Sequence, residues 1–421
     1  MWREVPEAWH STTLGEHIAE MRGGGTPSRK IPEYWTGSIP WASVKDLKGR
    51  YIDKTEESIS EDGLHSSASN LIPKGTLVLA TRMAVGKAVR FSKDVAINQD
   101  LRAIFPRPSL NIDFLHQWFV WQEGRIARLG SGTTVAGIRQ EMIRGLPLAL
   151  PPLTEQRRIA EILSSVDEAI AAKQAVIKQT RKVKQGVLER LLAKGIGHTS
   201  FKQTQIGEIP EAWDHCALAE AASIKHGYAF SGEFFSKEEG PSILLTPGNF
   251  SKEKTLYFGP NTKFYQGPTP SDFILKNGDL VVVMTDLTPS MEILGNAVIL
   301  NSDKVVLHNQ RIGKVEVDNN LLSTSFVKHV LDSERVQRQI KKTASGTTVR
   351  HTSPSRILEN VTVLPPMEEQ LSIVEALRMI DDGLYLQIQH LERACSLKSA
   401  LMSDLLSGRK RVTDAIPIAA E

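Results

Sequence analysis

Cysteine is almost missing from this chain: among 421 residues only Cys216 and Cys395 carry thiols. They stand far apart and form neither a CxxC pair nor a metal-spaced set, which excludes a disulfide scaffold and a cysteine-based zinc module. Each is expected to be a buried free thiol, the usual fate of a lone cysteine. Long apolar runs are missing too. The strongest, "DLVVVM", has the length of a strand, against the roughly 18 residues that a membrane helix needs. The opening, "MWREVPEAWH", lacks the charged and apolar regions of a signal peptide, so a cytoplasmic location is expected.

The motifs of catalysis are absent as a set. There is no GxxxxGK[ST] phosphate loop, and "GGGTPS" (Gly23–Ser28) does not have the spacing of GxGxxG. No HExxH or paired Cys/His array suggests zinc, and there is no GxSxG elbow. The Asn/Asp-Pro-Pro-aromatic segment that holds the target amino group in N6-adenine methyltransferases does not occur. The dipeptide Pro-Asp is absent as well, which argues against the commonest nuclease signature. His65, His226 and His308 lie alone. A non-catalytic protein, with no metal and no cofactor of its own, is the expectation.

What is present is repetition. "SGTTV" stands at Ser131–Val135 and again at Ser345–Val349, 214 positions later. "LPPLTEQ" (Leu150–Gln156) returns as "LPPMEEQ" (Leu364–Gln370), also displaced by 214. "PEAW" at Pro6–Trp9 returns at Pro210–Trp213, displaced by 204. Weaker echoes lie between them: "KGTLVLA" (Lys74–Ala80) against "NGDLVVV" (Asn277–Val283), and "INQ" (Ile97–Gln99) against "HNQ" (His308–Gln310). The displacement drifts as loop insertions would make it drift. The unit is too long for a solenoid repeat and has the size of a domain, so the chain is a tandem internal duplication.

Each copy has two parts. The first is β-rich: "GTLVLA" and "KAVRFS" in one copy, and "DLVVVM", "NAVIL" and "IGKVEV" in the other, alternate or run apolar as strands do. A helical stretch closes each, "DFLHQWFVWQEGRIARL" and "SFVKHVLDSERVQRQIKK". The second part is a long helix opened by the Pro-Pro turn, where proline is tolerated. Its apolar residues Ile159, Leu163, Val166, Ile170, Ile177, Val187 and Leu191 form a heptad seam once Lys173, Thr180 and Lys184 fill the missing rungs. Adding 214 gives Ile373, Leu377, Ile380, Leu384, Leu391, Leu401 and Leu405, all apolar, with Gln387, Ala394 and Lys398 on the polar rungs. Two equivalent seams in one chain most simply pack on each other, and the lysines favour one register. The fold class expected is α+β.

Charge divides unevenly. Residues 1–150 hold 19 Lys/Arg and 16 Asp/Glu (+3), and 151–200 hold 9 and 5 (+4). Residues 201–363 hold 17 and 18 (−1), and 364–421 hold 6 and 9 (−3), so the copies are not electrostatic equals. A nucleic-acid partner is compatible with the first half.

The alternation of β-rich domain and long helix, with "GGTPS", "SGTT", "LPPLTEQRRIAEILSSVDEAI" and "LPPMEEQLSIVEALRMID", resembles the specificity subunit of type I restriction–modification enzymes. The resemblance covers nearly the whole chain. It implies target-recognition domains at 1–150 and 201–363, and helical spacers at 151–200 and 364–421 that pair as an antiparallel coiled coil. It implies double-stranded DNA with a bipartite target as ligand, one half per domain, with two methyltransferase subunits and translocating nuclease subunits as partners. S-adenosylmethionine, ATP and Mg would then belong to those partners. The second copy has "KHGYAFSGEFF" in place of "GGGTPS", so the two domains should read different bases.

Guanine suits Arg and Lys, and adenine suits Asn and Gln. The DNA-contact candidates in the first domain are therefore Thr26, Ser28, Arg29, Lys30, Arg82, Lys87, Gln99 and Arg102. In the second they are Tyr228, Ser231, Thr285, Asn309, Gln310 and Arg311. "SGTTV" reads as a glycine turn bonded to its own backbone rather than as a phosphate contact, because both copies keep it. Taken as one helix, Thr154–Leu192 spans about 58 Å and separates the readers by at most roughly 17 base pairs. The competing reading is a two-domain helical scaffold whose partners are not DNA, which predicts no salt-dependent DNA affinity.

Overall fold

The computed structural model describes residues 5–130 and 137–412. By contact, the chain divides into two compact units. One comprises Met1–Gln174 with Gln389–Glu421, the other Ala175–Ile388. Each unit therefore holds one β-rich domain and a portion of both long helices.

In the first unit a five-stranded sheet runs in the order Ile18–Gly23, Leu101–Pro106, Leu77–Ala80, Ala88–Phe91, Tyr51–Ile52. A four-stranded sheet has the order Glu57–Ile59, Ile39–Ala42, Val95–Ile97, Asn70–Ile72, with the middle two strands parallel. The apolar run "LVLA" is buried on both faces because the sheet is covered on both sides. With a side-chain period of two, Leu77 and Leu79 join one core, against the helix Ile112–Leu129, while Val78 and Ala80 join another.

The second unit repeats this. Its four-stranded sheet has the order Ala222–His226, Ile312–Val317, Leu280–Val283, Ala297–Ile299. Leu280 and Val282 enter one core, and Val281 and Val283 the other. Strands Ser242–Leu245 and Val305–His308 are the parallel pair of its second sheet. One difference is local. The closing helix is continuous in the first unit but breaks in the second into Thr324–Asp332 and Glu334–Lys342. Ser333 sits at the break and caps the second segment by accepting from the Val336 amide, as serine does at an N-cap.

The Pro-Pro helices run Leu153–Lys194 and Met367–Leu406. In the first unit Ile159 and Leu163 pack with Met402, Leu405 and Leu406, so the start of one helix meets the end of the other and the pair is antiparallel. In the second unit Leu188 packs with Ile373 and Leu377. All seam residues, polar rungs included, are buried or half-buried. Lys398 is ion-paired to Asp167, and Lys184 to Asp381 at 2.5 Å. Two of the lysine interruptions of the seam, Lys184 and Lys398, are thus halves of interhelical ion pairs.

The repeated phrases bind one another. Gln156 accepts from the Asn111 amide (2.8 Å) and donates to the carbonyls of Ser109 (3.1 Å) and Pro151 (2.9 Å). Gln370 does the same with Ser323 (2.8 Å), Leu321 (2.8 Å) and Pro365 (2.9 Å). Each fastens the long helix to the start of the helix that closes its domain. Glu155 accepts from Trp9 Nε1 (2.9 Å), and Glu369 from Trp213 Nε1 (2.8 Å), so "PEAW" and "PPxxEQ" are partners in one contact. Glu155 also receives Arg411 Nε (2.8 Å) and the Val412 amide (3.2 Å). Burial pushes the Glu155 carboxyl up, but the Arg411, Trp9 and Val412 bonds outweigh it and hold it below the usual range.

Two expectations need correction or placement. Cys216 is half-buried, but Cys395 is exposed: it lies one residue past the seam position Ala394, on the outer side of its helix. The first "SGTTV" lies outside the described residues. The second forms a tight return in which Ser345 and His351 exchange both backbone bonds at 2.9 Å, with Gly346 at φ 93°.

Candidate nucleic-acid interface

In each domain the loop after the first sheet strand runs close to an Asn-Gln turn, and a glycine makes this possible. A Cβ on Gly24 would fall on the Ile97 carbonyl, and one on Gly227 on the Asn309 carbonyl. The adjoining amides complete the contact, Gly25 to Ile97 O at 3.0 Å and Tyr228 to His308 O at 2.8 Å. "GGGTPS" and "KHGYAFSGEFF", dissimilar as sequence, therefore occupy the same place. The Asn of each turn bonds within it: Asn98 Oδ1 accepts from the Asp100 amide (3.1 Å) and Asn309 Oδ1 from the Arg311 amide (3.2 Å).

In the first domain Thr26 donates to Gln99 Oε1 at 2.6 Å. Arg82, Gln99 and Arg102 line one concavity of about 430 Å³, together with Arg139, Gln140 and Glu141. Arg82 reaches Asp100 only at 3.9 Å and its side chain is 60% exposed. Arg29 is otherwise engaged. It pairs with Glu57 (Nη2 to Oε2, 2.8 Å) and lies 3.4 Å over the Trp35 ring. Its hydrogen bond to Glu57 is the main cause that holds that carboxyl below its usual value. Ser28 and Lys30 are exposed on the same loop, with Ser28 Oγ accepting from the Lys30 amide (3.3 Å). Lys87 is half-buried and does not line the concavity.

In the second domain Tyr228 packs edge-on to Phe230 (5.1 Å) and beside Phe273 (5.2 Å). The Gln310 amide donates to Tyr228 O at 3.0 Å, so Tyr228, Asn309 and Gln310 are brought together. Gln310 and Arg311 are exposed, whereas Thr285 and Asn309 are buried. Thr285 Oγ1 bonds His351 Nδ1 at 3.0 Å, and Ser231 donates to Glu233 at 2.9 Å. His308, lone in the sequence, is a core residue: burial holds its imidazole below the usual value, and its Nε2 lies 2.9 Å from the Ile312 carbonyl.

Arg139 and Gln140 escape a reading by motif, since they follow "SGTTV" in an unremarkable stretch. Their place depends on the Ile138 amide returning to Thr81 O (2.9 Å) across 57 residues of chain. Among the described residues no group of His, Cys, Asp and Glu could hold a metal ion, and no helix is long and apolar enough to cross a membrane.

Residues 6–180 match the family model of the type I restriction modification DNA specificity domain. The chain is 26% identical over 428 residues to the type I restriction enzyme MjaVIII specificity subunit of Methanocaldococcus jannaschii, covering 97% of this chain and 94% of that one. The fold is similar to the type I restriction–modification S subunit of M. genitalium (TM-score 0.53, 15% identity, 96% and 98% of the two chains). It is also similar to a chain from a structure describing complex assembly and conformational transition of the type I R-M system (TM-score 0.60, 15% identity, 97% and 100%). One matched domain and full-length relatives make the chain similar to the specificity subunits of type I restriction–modification enzymes, and its fold is similar to theirs.

Proposed function

We propose that this chain is the sequence-specific DNA-binding subunit of a type I restriction–modification complex, each β-rich domain reading one half of a bipartite target. The single observation that carries this is the duplication at the level of bonds. Two domains share one backbone frame, each fastened by its own Glu–Trp and Gln–carbonyl contacts, but they differ in the side chains on their loops. The antiparallel helices set the spacer between the half-sites.

The same helices dock two methyltransferase subunits, with translocating nuclease subunits joining for cleavage. Exposed apolar residues outside the seam support this: Val176 and Val183 on one helix, Met379 and Leu386 on the other. S-adenosylmethionine, ATP and Mg act on those partners, and this chain contributes recognition and no catalytic group.

The experiment exchanges residues 1–150 for another such domain in the complex with a methyltransferase subunit and maps methylated adenines. One half of the target should change while the other stays. Alteration of both halves would refute the reading.

A further inference from the structure

The two domains place corresponding residues by corresponding bonds. The Thr81 amide donates to Asp100 O (2.8 Å) as Met284 does to Arg311 O (3.0 Å). Ile138 donates to Thr81 O (2.9 Å) as Thr352 does to Met284 O (3.0 Å). Arg82 thus corresponds to Thr285, Gln99 to Gln310 and Arg139 to Ser353. In the sheet, Arg102 stands across from Gly23, and Gly313 across from His226, so there the large and small residues have exchanged strands.

Only the glutamine is kept. The sugar–phosphate backbone is the same in both halves of a target and asks for the same contacts, whereas base edges differ and ask for different ones. Side chains that vary on a constant frame are therefore placed to discriminate bases. In the first domain these are guanidiniums, which match the paired acceptors O6 and N7 of guanine. Their donors are little used within the domain. Arg82 meets Asp100 only at 3.9 Å, and Arg102 makes a marginal 3.5 Å contact with the Leu101 carbonyl among the described residues. The neighbouring Asp100 carboxylate accepts from Asn98 Nδ2 at 3.1 Å.

We infer that Arg82, Arg102 and Arg139 discriminate guanine in the half-site of the first domain, while Gln99 and Gln310 hold the DNA backbone. His226 takes the place of Arg102 in the second domain. The inference rests on the reading of each domain as the reader of one half-site.

The test selects from a random-sequence duplex pool with the purified full chain. Arg82→Ala, Arg102→Ala, Arg139→Ala and Gln99→Ala variants are compared, each with a wild-type melting curve. The wild type should select a two-part sequence with guanine in the half assigned to the first domain. The arginine variants should lose preference at a guanine there by roughly tenfold or more, leaving the other half intact. Gln99→Ala should weaken binding to all sequences alike. A two-part sequence whose preferences the arginine variants leave unchanged would overturn this inference alone. Selection of no two-part sequence by the wild type would overturn the function on which it rests.

Discussion

Lys184 on one long helix and Asp381 on the other are ion-paired at 2.5 Å, and shifting both by 214 or −214 residues gives the second pair, Lys398 with Asp167. Lys184 and Lys398, equivalent rungs of the two seams, are therefore matched in their partners, and the two pairs specify antiparallel register as polar seam residues do. Asp167 also takes Arg50 and, at 3.1 Å, Gln117 Nε2, tying the helix to its domain.

Charge exchange tests that register. Lys184→Asp alone should destabilise by about 1 kcal/mol, since the pair is partly exposed, and Asp381→Lys alone should do the same. The double exchange should recover most of the loss. Chemical denaturation of the three variants measures the coupling. Additive losses would mean that the pair does not set register.

The apolar rungs should matter more. Leu163 and Leu377 are fully buried. Leu163→Asp or Leu377→Asp leaves an unpaired carboxylate in a helix interface and costs several kcal/mol. Glu168→Lys, on an exposed position, should be nearly silent. Size-exclusion chromatography and melting separate the two classes, and equal behaviour would remove the paired-helix account.

The Glu–Trp contacts give a third prediction. Glu155→Ala strands the Trp9 indole and the Arg411 guanidinium and should cost about 2–4 kcal/mol. Trp9→Phe, which removes one hydrogen bond and shrinks a ring buried in the core, should cost about 1–3 kcal/mol. Glu369→Ala should resemble Glu155→Ala, because it strands Trp213, His198 (Nε2, 2.9 Å) and the Ile196 amide (2.9 Å). Thermal melting gives the order.

Acid sensitivity follows from two histidines. Burial first, and nearby Arg50 next, push His116 down to about 3; burial and then Lys328 push His329 down to about 4. Both fold as neutral rings, and below their ordinary pKa the unfolded chain binds more protons. Their stabilisation is complete above about pH 6.5 and is lost as pH falls towards those values, by at most about 1.4 kcal/mol per pH unit for each. Urea midpoints should therefore depend less on pH between 6.5 and 4 in a His116→Gln/His329→Gln double variant than in the wild type.

Much of the fold is legible in the sequence because it is periodic. The strands "LVLA" and "LVVV" and the seam from Ile159 to Leu191 announce themselves by spacing. Breaks and pairings that depend on distant residues do not. Ser333 looks like any polar residue in a helical run until its hydroxyl is seen capping the next segment. "PEAW" and "PPxxEQ" read as separate marks, yet Trp9 and Glu155 meet across 146 residues. The candidate interface is half legible. Arg82, Gln99 and Arg102 stand out by type, whereas Arg139 enters only through a backbone return, and the equivalence of Gly24 and Gly227 is hidden by unlike neighbours.

On the proposed function, the paired helices measure the DNA between two separate readers. Leu153–Lys194 is continuous over 42 residues, about 63 Å. Inserting four residues after Gln174, and four after the corresponding Ile388, adds about one turn, or 6 Å, to both helices and nearly preserves their apolar faces. Methylation-site mapping with the methyltransferase partner should then return the same two half-sequences across a spacer longer by about one or two base pairs. An unchanged spacer with full activity would contradict the claim.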